Sequence, residues 1–311
     1  MFKTFTIVYF FLIICFINIS HANDGYKIVV KVNNQIISNY DIEKEKNYLS
    51  ALNPKILNIP EKEIKKIAKQ SLIREIIKEK EISKYYDVDY QSPKLIQIVK
   101  RLYTRLNIES EEDFKTYLEK YSLDLNDVLK KLAIETNWNN LIYQKYNNQI
   151  DIDKDKIKKR LELGFSNNKK EKLFLLSEIV FVAKDKEEFD DKYKKVIATI
   201  KEKDFSSAAT IYSVSDTSKF GGEIGWVSKN DISEQIYKKI SILKIDEFTQ
   251  PFKIANGFLL ISVNGIKEVE KENNLEEQYN SIVSKETNRQ LNQHSLIYFK
   301  RIEKQVFIHE N

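Results

Sequence analysis

Apolar residues recur at helical spacing from Ser38 to about residue 164, and the period then changes. A chain patterned in this way needs a helical part and a separate mixed part, each with its own core. "YKIVVKVNNQIIS" reads as a strand, a turn at Asn33-Asn34 and a second short strand. Ser38 then precedes "NYDIEKEKNYLSALNP", with Asp41 placed as its capping-box partner and Pro54 as its stop. The next helix opens on Pro60 and sets Ile64, Ile67, Ala68, Leu72, Ile73, Ile76 and Ile77 on one face. Further helices are predicted from about Pro93, from Ser110 with Asp113 as its cap partner, and over residues 125–146.

"GFSNNKKEK", Gly164 to Lys172, is a polar break and an expected domain boundary. After it "LFLLSEIVFV" reads as a strand, 186–203 as an amphipathic helix and "DFSSAATIYS" as a shorter helix. A glycine-rich loop, a helix in "DISEQIYKKISIL" and a strand in "GFLLISV" follow, an order that fits a compact mixed domain. From Lys271 the chain returns to helix, with a stripe of Leu275, Tyr279, Ile282, Val283, Leu291, Tyr298 and Ile302. A long one-sided helix is unstable alone and must dock. The expectation is that it packs on the N-terminal helices and that Val306 to His309 adds a strand beside the Tyr26–Ile37 hairpin. The fold class is thus α+β: residues 23–166 and 271–311 form a mainly helical domain, into which 172–267 is inserted.

The two ends limit location and chemistry. "MFKTFTIVYFFLIICFINISHANDG" has Lys3, an apolar run from Phe5 to Ile19, and Ser20-His21-Ala22 at the −3 to −1 positions of a cleavage site. This is the layout of a secretory signal peptide, residues 1–22, and predicts cleavage after Ala22 and export to a periplasm. The apolar run is short for a membrane anchor, which needs roughly 20 residues. The single cysteine, Cys15, lies within that segment, so the mature chain has no disulfide, thiolate nucleophile or cysteine metal site. His21 leaves with it, so only His294 and His309 remain, without carboxylates around them.

The carboxylate pairs Asp151/Asp153 and Glu111/Glu112 read as caps and solvated faces, and "DIDKDKIKKR" lacks the glycine and final glutamate of a calcium loop. No metal and no cofactor are expected. The chain holds 51 basic and 46 acidic residues, and its lysines alternate with glutamates along helix faces, which argues against a nucleic-acid surface.

Three of the seven glycines, Gly221, Gly222 and Gly225, fall within five residues and end on Trp226. The run "DFSSAATIYSVSDTSKFGGEIGW…PFKIANGFLLISV" resembles a parvulin-type peptidyl-prolyl isomerase domain in the order of its parts. "KIVVKVNNQIISNYDIE" and the closing helix and strand look like those of SurA-type periplasmic chaperones. The resemblance implies that Gly221 and Gly222 turn the loop into a strand, that Gly225 lets the backbone pass a helix, and that Trp226 is core. Parvulins have two facing histidines, a cysteine or aspartate between them, and an apolar cradle for proline. By that resemblance the histidine positions fall on Glu178 and Leu259, the cysteine or aspartate position on Ser215, and a supporting threonine on Ile254. The cradle positions fall on Ile224, Ile232 and Ile236. Residues 172–267 contain no histidine at all.

Prolyl isomerisation needs no proton transfer, only help across a barrier of roughly 18–20 kcal/mol, so their absence weakens an isomerase without forbidding one. The resemblance implies an ATP-independent chaperone for unfolded periplasmic proteins or outer-membrane β-barrel precursors. The alternatives are an active prolyl isomerase and a scaffold anchored near anionic lipid. Tyr48, Leu52, Tyr103 and Tyr143 are candidates to line a client groove in the helical part.

Overall fold

A computed structural model describes residues 25–90, 92–163, 170–254, 257–270 and 275–310. The expected signal peptide, with Ala22, and the part of the polar break from Gly164 to Lys169 lie outside the described residues. Strands β1 (Ile28–Val32) and β2 (Gln35–Ser38) form the expected hairpin. Helix α1 (Asn39–Leu52) starts at a complete capping box between Ser38 and Asp41. It is followed by α2 (Glu61–Ile82), α3 (Pro93–Arg105), α4 (Glu111–Glu119), α5 (Leu125–Tyr146) and α6 (Lys154–Leu163). Ser110 caps α4, and Asp124 closes a second box with Asp127 at the start of α5.

The mixed domain follows as β3 (Lys170–Phe181), α7 (Lys186–Glu202), α8 (Phe205–Tyr212), β4 (Glu223–Ser228), α9 (Glu234–Ile240), β5 (Phe252–Ile254) and β6 (Gly257–Glu270). Its sheet is antiparallel in the order β4-β3-β6-β5. Helix α10 (Leu275–Glu303) and strand β7 (Ile308–Glu310) close the chain, and β7 pairs with β1 in the three-stranded sheet β2-β1-β7.

The chain end is built into the first core. Trp138 of α5 is fully buried, its indole N–H donates to Ser295 of α10 at 2.8 Å, and its ring packs on Tyr298. Ile282, Tyr298 and Ile302 are the buried part of the α10 stripe, whereas Leu275 stays 39% exposed. His294 stacks on Tyr146 with ring centroids 4.6 Å apart, a packing role. Three of the four groove candidates, Tyr48, Leu52 and Tyr103, belong to this core; Tyr143 alone is exposed. Helical periodicity marks a buried face but does not say whether another helix or a client covers it. Lys131 of α5 reaches between Glu45 of α1 and Glu75 of α2 at 2.6 and 2.5 Å. Burial works against its charge, but the two carboxylates prevail and hold it above the usual lysine range.

A polar seam joins the two domains. Glu135 of α5 takes Lys78 of α2 at 2.6 Å and Lys219 of the mixed domain at 2.8 Å. Arg105 lies over the Phe220 ring at 4.1 Å and donates to the Glu223 carbonyl at 3.1 Å. Asn53 donates to Thr210 at 3.2 Å, Lys203 to the Asn58 carbonyl, and Lys285 of α10 pairs with Asp231 at 2.6 Å.

Burial alone would raise the Glu135 pKa, but Lys219 and Lys78 hold it well below the usual carboxylate range. With 28% of the Glu135 side chain accessible, Glu135→Gln should cost about 2 kcal/mol, between the cost of an exposed pair and of a buried one. Because the folded pKa is depressed, this contribution is complete at neutral pH and is lost as pH falls below the ordinary value of 4.5. Urea unfolding of both proteins at pH 7 and pH 3 measures it. Equal stability at pH 7 would contradict the role assigned to the bridge.

Candidate functional site

Strand β3 pairs with β6 from Lys170 to Phe181, so its alternate residues face two different clusters. Ile179 and Phe181 pack with Leu260, Val196, Ala208 and Ala209 beneath α7 and α8. Leu176 and Val180 face the other way, with Leu259, Ile261 and Val263. Glu178 stands opposite Ile261, and Val180 opposite Leu259, so the ladder puts Glu178 on this second face.

The pocket positions therefore converge, but with altered chemistry. Ser215 donates to Glu178 Oε1 at 2.6 Å, and Thr217 donates to the same oxygen at 3.0 Å. Thr217 and Ser215 oxygens are themselves 3.0 Å apart. Two residues earlier, Ser213 accepts from the Val180 amide at 3.0 Å and fixes the loop against β3. Leu259 is buried in the apolar cluster, and Ile254, Ile232 and Ile236 pack against it. Ile224 is 44% exposed and stands outside that cluster. Thr217 was missed by sequence reasoning, although Ser213, Ser215 and Thr217 alternate in "SVSDT" as residues that can line one side of a loop.

This arrangement can hold a negative charge and accept hydrogen bonds beside an apolar surface. Both hydroxyl protons are directed to one carboxylate oxygen, Glu178 Oε1. Neither cluster position supplies an imidazole that can switch between donating and accepting. Among the described residues no group of three histidine, cysteine, aspartate or glutamate side chains could hold a metal ion. The loop carrying Ser215 and Thr217 continues into Lys219 and Phe220, so the cluster sits next to the interdomain seam.

The glycines divide into two kinds. Gly222 has φ +80°, its carbonyl accepts from the Glu178 amide at 2.8 Å, and an added Cβ would lie 2.3 Å from the Glu178 carbonyl oxygen. Gly225 has φ +100° but open space around it, so backbone conformation and not the passage of a helix requires it there. Trp226 is 40% exposed, which corrects its expected place in the core. Its ring lies against Gly265, with the Lys267 ammonium 4.2 Å from the ring centroid. Gly222→Ala should destabilise by about 3 kcal/mol or more, combining left-handed strain with a backbone clash. Gly225→Ala should cost only about 1–2 kcal/mol. Urea denaturation of the two variants tests the difference, and equal losses would contradict it.

The rotamase family, PPIC-type PPIase domain, matches residues 173–265. Chaperone SurA of Ralstonia nicotianae is 37% identical over 67 residues, covering 22% of this chain and 14% of its own. Chaperone SurA of Pseudomonas putida is 21% identical over 161 residues, 50% of this chain and 38% of its own. The chain thus matches well under half the length of either relative. Among solved structures, one from a study of PEB4 and Cj1289, described as SurA-like chaperones of Campylobacter jejuni, is 14% identical. It has a TM-score of 0.34 and covers 91% of this chain and 98% of its own. PrsA of Bacillus anthracis is 18% identical with a TM-score of 0.30, covering 75% and 94%. Residues 173–265 are therefore a PPIC-type rotamase domain of the parvulin class set within a mainly helical fold, in a chain that is similar over part of its length to SurA chaperones.

Proposed function

We propose that the protein is a periplasmic, ATP-independent chaperone that holds unfolded exported chains, outer-membrane β-barrel precursors among them, with weak or no prolyl isomerase activity. The observation that carries this reading is the Glu178–Ser215–Thr217 cluster, which stands beside a filled apolar face where parvulins place polar groups against the twisting amide. Similarity to SurA chaperones supports client binding, and the chain displays large apolar side chains to solvent, including Tyr26, Tyr40, Tyr143, Ile96 and Ile242. Scattered contacts of this kind favour loose binding of many sequences over one tight ligand.

The functional units in this reading are a signal peptide over 1–22, a helical domain of 23–166 with 271–311, and a rotamase domain of 172–267. Among the described residues no helix is long and apolar enough to cross a membrane. An active isomerase is the second reading, favoured by the retained Ile232 and Ile236 beside Leu259.

Two assays on the full-length protein separate these readings. Dilution of a urea-unfolded β-barrel precursor should show suppressed aggregation, equally with wild type and with the double variant Glu178→Ala/Ser215→Ala. Refolding of a substrate limited by a proline bond should not speed up more than about two-fold at equimolar protein, whereas the uncatalysed step takes tens to hundreds of seconds. Strong acceleration that the double variant abolishes would establish the isomerase instead, and no suppression of aggregation would end the chaperone reading.

A further inference from the structure

Between the open edge of the rotamase sheet and the outer side of α10 lies a cavity of 610 Å³. Its walls are apolar: Val182, Phe189, Ile254 and Phe258 on the sheet side, and Ile297, itself 56% exposed, on α10. Its rim is basic, formed by Lys184, Lys186, Lys253 and Lys300. The one acid there, Asp185, is already occupied in capping α7, where it accepts the Glu188 amide at 2.8 Å.

Two features of this rim point to a ligand. Some lysines elsewhere pair with neighbouring carboxylates, as Lys192 does with Glu188 and Lys195 with Asp191. The four rim lysines form no ion pair with the described residues, although the chain has nearly as many acids as bases. Burial, with the nearby Lys192 adding to it, holds the Lys300 pKa below the usual lysine range against the opposing pull of Glu303 and Glu188. The second feature is geometric. Strand β5 is the last strand of the sheet, paired to β6 on one side only, and Lys253 and Ile254 bring its open edge into the cavity wall.

An unpaired edge, an apolar slot and a rim of four lysines together describe a site for one kind of ligand. We propose that this cleft binds an extended acidic peptide segment of an unfolded client, which adds alongside β5 as a strand, seats an apolar side chain between Phe258 and Ile297, and places flanking carboxylates against Lys253 and Lys300. The proposal deepens the chaperone reading and rests on it. It names a client class and a cleft formed by β5, the turn from β3 to α7 and α10, which shares Ile254 with the apolar cluster beside Glu178.

The test uses full-length protein and three fluorescein-labelled ten-residue peptides: one with a central Phe flanked by Asp and Glu, one with those acids replaced by Lys, and one acidic but N-methylated at alternate amides. Fluorescence anisotropy should show the acidic peptide binding at least ten-fold more tightly than the other two, with the affinity falling as salt rises. Lys253→Glu/Lys300→Glu should weaken the acidic peptide at least ten-fold. The milder Lys253→Ala/Lys300→Ala should weaken it about three-fold or more, which keeps the test valid if the charge reversal impairs folding.

Equal binding of acidic and basic peptides, or no effect of either variant, would overturn the proposal. Equal binding of the N-methylated peptide would overturn strand addition. If sedimentation instead shows dimers that the Lys300 variants dissociate, a second copy of the chain fills the cleft and the proposal fails. Aggregation suppression in the same preparations separates the two levels. Suppression without acidic-peptide binding refutes the cleft alone, and lysine-dependent peptide binding without suppression refutes the holding function alone.

Discussion

The rotamase domain depends on one ladder. Because β3 pairs with β6 along its whole length, each β3 residue is committed to one of two faces, and a one-residue slip would exchange them. One face is sealed by α7 and α8 through Ile179, Phe181 and Leu260. The other carries Glu178 beside Val180 and Leu259, with α9 and β5 around it. The Gly222 carbonyl bonds to the Glu178 amide, so the glycine loop is fastened to the residue that anchors the polar cluster. That contact, with the bonds of Ser213 and Val214 to Val180, sets the loop and the position of Ser215 and Thr217.

The same loop serves the second level of organisation. Ser215 and Thr217 turn inward to Glu178, while Lys219 and Phe220, a few residues on, turn outward to Glu135 and Arg105 of the helical domain. A segment that in a catalytic domain needs to face only its substrate is here also a docking element. The proposed holding role is compatible with this chemistry: Oε1 of the carboxylate takes both hydroxyls, the apolar face is lined by the domain's own packed side chains, and the adjoining lysine forms an interdomain bridge.

Much of this was legible in the sequence because it is local. Ser38 with Asp41, Ser110 with Asp113, and the stop at Pro54 are decided within a few residues, and the helices begin and end accordingly. The docking of α10 and the pairing of its following strand with β1 were also accessible, since a one-sided helix must bury its stripe; the strand lies at Ile308–Glu310, slightly beyond the expected residues. What could not be read is what depends on distant partners. Nothing near Tyr48 or Tyr103 says that other helices cover them. Nothing near Trp226 says that Gly265, across the sheet, leaves an outward shelf for its ring. The Glu135–Lys219 bridge joins residues from opposite domains, and each alone looks like a surface charge.

The central claim is that unfolded chains are held on exposed apolar surface and are not processed in the rotamase pocket. Hydrogen–deuterium exchange of the full-length protein, with and without a saturating unfolded β-barrel precursor, tests it most directly. The account predicts client-dependent protection around exposed apolar residues such as Tyr26, Tyr40, Tyr143 and Ile297, with exchange in residues 213–217 unchanged. Protection confined to residues 213–217 and 232–236 would contradict it and return the function to the pocket.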